Sequence, residues 1–129
     1  KTAAQTLQAY VEKQLEEQVE LAAIALKDER NWDAYKAYSS VQLAFRGFEI
    51  PADVAQNIKT LRKDDAVKLE LAAMKRLRAA RRSVTLAKSP AARERGLKSL
   101  QRIVDDLPET EAALQAQSLL DEINGTATP

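Results

Sequence analysis

Residues 89–123 read SPAARERGLKSLQRIVDDLPETEAALQAQSLLDEI, and the two helices in this stretch decide the fold class. Ser89-Pro90 is a helix start: the serine side chain can accept an orphan backbone N–H, and proline suits the first helical position, where no N–H is needed. Leu97, Leu100, Ile103, Val104 and Leu107 then recur at three- and four-residue spacing, so they share one face. Pro108 ends that helix, and Thr110 can cap another carrying Ala113, Ala116, Leu119 and Leu120 inward. The predicted helices are 90–107 and 110–123. A corner this short makes them antiparallel neighbours, so the building unit is a helical hairpin.

The same punctuation continues toward the N-terminus. A long helix is predicted over 64–88, started by Asp64 or Asp65, with Val67, Leu69, Met74, Leu77, Ala80 and Val84 on its apolar arc. Glu70 falls inside that arc and breaks the pattern. Pro51 introduces a short helix over 52–63 that carries Val54, Ile58 and Leu61. Before it, a hairpin is predicted over 2–48. Its first helix, 2–27, places Leu7, Val11, Leu15, Val19, Ala22 and Leu26 on one stripe, which Tyr10, Leu21 and Ile24 widen. Asn31 is positioned to cap the second helix, Trp32, Tyr35, Tyr38, Val41, Phe45 and Phe48 follow at helical spacing, and Gly47 terminates it. Asn124-Gly125 closes the last helix, and 125–129 reads as a flexible tail. No run alternates apolar and polar residues between turn signals. The expected fold is all-α: five to six antiparallel helices forming one domain over 1–124, as an irregular bundle or a repeat-like stack.

Composition restricts the chemistry. The 129 residues include no Cys and no His, so thiol nucleophiles, imidazole bases, zinc cages and haem ligands are excluded. The Glu16-Glu17-Glu20 and Asp105-Asp106-Glu109-Glu111 clusters lack the loop spacing and Gly of a calcium loop. The three Gly stand far apart and form no phosphate loop. No cofactor, metal site or catalytic residue is expected, and the chain reads as a non-enzyme. The longest apolar run is the six residues from Leu21 to Leu26, against about 20 needed to span a bilayer. The chain begins at Lys1 and shows no secretory leader, as a processed chain or a domain of a larger protein would. Asn124-Gly125-Thr126 matches the N-glycosylation pattern and is read as coincidence.

Gly96, Leu100, Ile103 and Pro108 stand at the spacings of the small, large, small and proline positions of a tetratricopeptide-type repeat. Residues 91–123 resemble such a repeat, in the degenerate form of bacterial envelope proteins, whose hairpins are joined by an apolar-Pro-x-Thr corner before an Ala-rich helix. Gly96 stands where the family has Ala, and the preceding helix departs from the pattern at Ala80, Ser83, Val84 and Ala87. The resemblance implies a stack of hairpins used for protein contacts, a scaffold or interaction module, in an extracytoplasmic bacterial setting. It implies no catalytic residues.

A net charge of +1 conceals a strong asymmetry. Residues 1–58 hold six basic and nine acidic side chains (−3), residues 59–102 hold fourteen and four (+10), and residues 103–129 hold none and six (−6). On a helical wheel Lys68, Lys75, Arg78 and Arg82 form one arc opposite the apolar stripe, flanked by Arg76 and Arg81, while Arg95, Lys98 and Arg102 share a face of the following helix. The plain reading is a solvated surface paired with the acidic ends of the chain, since exposed helix faces are ordinarily charged. The functional reading is a docking face for an acidic partner. All six aromatics lie between Tyr10 and Phe48, so the basic segment lacks the stacking platforms of single-strand binders. Nucleic acid or an anionic surface is therefore the second expectation, behind a protein partner. The aromatics of 32–48 read first as core and only then as a ligand groove.

Overall fold

The computed structural model describes residues 2–127, and it contains six helices and, among the described residues, no strand. They are α1 (Ala3–Lys27), α2 (Asn31–Ala44), α3 (Ala52–Leu61), α4 (Asp65–Thr85), α5 (Pro90–Asp106) and α6 (Glu111–Ala127). The all-α expectation and the order of helices hold. Packing groups the chain into two compact units, Lys1–Lys68 and Leu69–Pro129, divided within α4.

In the first unit α1 opens with a reciprocal cap: Gln5 N–H donates to Thr2 Oγ1 at 3.1 Å, and Thr2 N–H donates to Gln5 Oε1 at 3.0 Å. It ends by folding back on itself. Glu29 N–H donates to the Leu26 carbonyl and Arg30 N–H to the Ala25 carbonyl, with Glu29 at a φ of 60°, a left-handed position usually held by glycine. Asn31 does not cap α2. Its Nδ2 donates to Asp64 Oδ1 at 3.1 Å, while Asp64 Oδ2 accepts the Val67 N–H at 3.1 Å and so starts α4. Helix α2 stops at Ala44, before Phe48, and Gly47 takes the turn at a φ of +94°.

The core of this unit joins Leu15, Ala22 and Ala25 of α1 to Ala34, Tyr38 and Val41 of α2 and Val54, Ile58 and Leu61 of α3. Tyr38 is 1% exposed, and Tyr35 and Phe45 pack against the cluster, so these aromatics are core as first read. Trp32 stacks on Tyr35 with ring centroids 5.8 Å apart, and Phe48 stays exposed. The first helix departs from expectation at its start. Residues 2–10 are exposed throughout and Leu7 is 63% exposed, because α1 has 25 residues and α2 has 14, leaving its first turns unpartnered.

In the second unit Ala73, Leu77 and Ala80 of α4 meet Leu100 and Ile103 of α5 and Ala112, Ala113, Ala116 and Leu120 of α6. Leu69, expected on the apolar arc, is 46% exposed. The predicted caps form: Ala92 N–H donates to Ser89 Oγ and Ala113 N–H to Thr110 Oγ1, both at 3.1 Å. Thr110 is 1% exposed, and its hydroxyl donates to the Leu107 carbonyl at 2.8 Å, locking the corner between α5 and α6. Glu70 acquires a role as well. Its carboxylate accepts the Glu111 N–H, with Oε2 at 3.0 Å, and places negative charge at the N-terminus of α6, where the helix dipole favours it. Helix α6 runs through Asn124-Gly125 to Ala127, so the expected tail is helical as far as it is described, and residues 128–129 lie outside the described residues.

Gly96 sets the approach of α5 to α4. A Cβ built on it would lie 2.7 Å from Val84 Cγ2 and 2.9 Å from the Val84 backbone nitrogen. Only a residue without a side chain allows this spacing.

Candidate interaction surface

The seven basic residues singled out from the sequence, Lys68, Lys75, Arg78, Arg82, Arg95, Lys98 and Arg102, are all exposed. Among the described residues none of these seven forms an ion pair. One link of that kind exists beside them: Arg76 to Asp106 at 3.4 Å, between half-exposed side chains, a geometry worth no more than about 1 kcal/mol.

The structure gathers some of the seven and disperses the rest. Because Gly96 draws the helices together, α4 and α5 leave a continuous surface groove between them. At one end Arg82, Lys88 and Arg95 line it; at the other, Arg76 and Arg102 do. The two ends share Ala79, Ser83 and Ser99, and Ala87, Ala92 and Gly96 continue the floor. No carboxylate lines either part. Leu86, 61% exposed, is the large apolar side chain at its edge. Lys98 lies instead in a separate depression toward α6, with Glu94 and Asn124. Lys75 and Arg78 sit on the solvent side of α4, and Lys68 belongs to the first unit.

Helical spacing found Arg82, Arg95 and Arg102, but it placed Arg76 only as a flank and missed Lys88. The expected helix 64–88 ends at Thr85, so Lys88 lies in the connection to α5 rather than on a face of α4, and its contribution depends on α5 being the neighbour across the groove.

The first unit has an open groove of opposite sign. Between α1 and residues 49–52, the side chains of Glu12, Glu16, Glu20 and Glu49 surround a floor that includes Leu15, Val19 and Ile50, with Lys13 as the cation on its border. Among the described residues no group of three acidic side chains is placed to hold a metal ion, and no helix is long and apolar enough to cross a membrane. No protein-family model, curated protein or solved structure matches the chain.

Proposed function

We propose that this chain is a non-enzymatic helical interaction module, and that its α4–α5 groove docks an acidic helical segment of a protein partner. One observation carries the reading: five cations, of which Arg76 alone is paired, to Asp106, rim a groove that has small residues on its floor and no lining carboxylate. Two packed helices lie about 8–10 Å apart, and a third helix of similar diameter seats in the furrow between them. An acidic helix gains charge complementarity with both rims at once, whereas a nucleic-acid duplex is too broad for the furrow and rests on the rims alone. The lack of aromatics beyond Phe48 further lowers the case for single strands. The non-enzymatic part rests on the composition, which supplies neither Cys nor His. The tetratricopeptide-type resemblance of 91–123 is part of the proposal, and burial of Gly96, Leu100 and Ile103 on one side of α5 supports it.

The test is fluorescence anisotropy with a labelled Glu/Ala-rich helical peptide. Binding is expected at low salt and weakens as salt rises, since exposed charges are screened over about 8–10 Å at physiological ionic strength. Charge reversal at Arg82, Arg95 and Arg102 removes it, while reversal at Lys75 and Arg78, outside the groove, leaves most of it. A short DNA duplex run in parallel decides the alternative: if the duplex binds more tightly than the peptide, the polyanion reading replaces this one.

A further inference from the structure

The structure points to a specific occupant for the basic groove. We infer that the chain associates with itself, the acidic face of α1 in one copy seating in the α4–α5 groove of a second copy. The inference rests on the groove being a docking site for an acidic helix, as proposed above, and names that helix.

Three observations carry it. Glu12, Glu16 and Glu20 are exposed at four-residue intervals, so they form one row along α1, and Ala9 and Ala23 continue the row at its ends. The row itself is carboxylates and methyl groups, with Lys13 at its border, and is the complement of cationic rims over an Ala/Ser/Gly floor. The lengths agree. The eight steps from Glu12 to Glu20 span about 12 Å, Arg76 to Arg82 about 9 Å and Arg95 to Arg102 about 10 Å at 1.5 Å per residue. Finally, the first turns of α1, residues 2–10, run directly into the row, extend past α2 and are exposed on every side, so nothing in the first unit blocks approach to the row from its N-terminal end. The contact is heterologous: two different patches, both present on every copy.

The experiment uses the intact chain in sedimentation velocity. At about 50 mM salt the mean mass is expected to climb above the 14.3 kDa monomer as concentration rises, and to return to it at about 500 mM salt, where the Debye length is only a few ångströms. Two variants separate the half-interfaces: Glu12→Lys/Glu16→Lys/Glu20→Lys and Arg82→Glu/Arg95→Glu/Arg102→Glu. All substituted positions are exposed, and circular dichroism establishes that each variant is folded. Each alone is expected to lose association at least about tenfold, and an equimolar mixture to form the heterodimer, because one variant retains the groove and the other retains the acidic row.

A wild-type chain that remains monomeric at low salt overturns the inference, as does a mixture that associates no better than its components. These failures are distinct from failure of the groove itself. If the acidic peptide binds while the intact chain stays monomeric, the docking function stands and self-association falls; if the peptide does not bind, both fall.

Discussion

Replacing Gly96 by Ala should destabilise the second unit, against the ordinary sign for a glycine inside a helix. Intrinsic propensity favours Ala by about 1 kcal/mol. The new Cβ, however, would lie 2.7 Å from Val84 Cγ2, 2.9 Å from the Val84 nitrogen and 3.2 Å from the Ser83 carbonyl carbon. The methyl contact can be relieved by a rotamer change; the two backbone contacts require α4 and α5 to separate. Overpacking of this kind costs about 1–3 kcal/mol, and the backbone contacts place Gly96→Ala at the upper end. The net loss is about 1–2 kcal/mol, a fall in Tm of roughly 5–10 °C for a unit of this size. Thermal and urea unfolding followed by circular dichroism measure it. Gly125→Ala is the control, since nothing lies within 4 Å of an added Cβ there and the change should be neutral to stabilising. Adding Val84→Ala to Gly96→Ala removes the 2.7 Å contact and leaves the one at 2.9 Å, so it recovers part of the loss and the pair is non-additive. If Gly96→Ala raises Tm as Gly125→Ala does, the close-approach argument is refuted.

Other changes test the packing elsewhere. Glu70→Gln keeps an acceptor near the Glu111 N–H but removes the charge at the start of α6, so urea unfolding should show a loss of about 0.5–1 kcal/mol, and Glu70→Ala more. Thr110→Val fills the same space without the hydroxyl that caps Ala113 and bonds the Leu107 carbonyl; a loss of about 1–2 kcal/mol is expected, and an unchanged midpoint would show that the corner does not depend on it. Glu29→Gly relieves a left-handed residue that carries a side chain and should stabilise the first unit by up to about 1 kcal/mol, read as a higher urea midpoint. Tyr38→Ala empties the centre of the first core and should cost about 3–5 kcal/mol, enough to lose cooperative unfolding there.

The sequence was most informative where the physics is local. Ser89, Pro90 and Thr110 work through backbone groups three residues away or nearer, and Gly47 works through its own φ, so each could be read in place. Residues whose partners are distant could not be read this way. Asn31 has the chemistry of a cap but bonds Asp64, 33 positions on, and Glu70 looked like a flaw in an apolar arc until Glu111, 41 positions on, supplied its N–H. The basic surface was half legible for the same reason. Periodicity states which residues share a face of one helix, which is how Arg82, Arg95 and Arg102 were found. It does not state which helix lies across the furrow, so it groups Lys75 and Arg78 with them and leaves out Lys88. Leu7 and Leu69 show the converse: Leu7 is on the right stripe but beyond the reach of the shorter α2, and Leu69 lies at the edge of the arc that α4 buries, so neither is covered.

The two serines on the groove floor bear on how a partner would be chosen. Ser83 Oγ donates to the Ala79 carbonyl at 3.0 Å and Ser99 Oγ to the Arg95 carbonyl at 3.1 Å, each one turn back on its own helix. Their protons are already committed, so the floor presents methyl groups and oxygen lone pairs and offers a carboxylate no donor. If the groove docks a helix as proposed, that helix would be sorted by two rulers alone: how thick its contacting side chains are, and how far apart its negative charges fall. Sequences with different residues but the same spacing would be accepted equally, while shifting one carboxylate by a single residue, a turn of about 100°, would move it off the rim and out of reach.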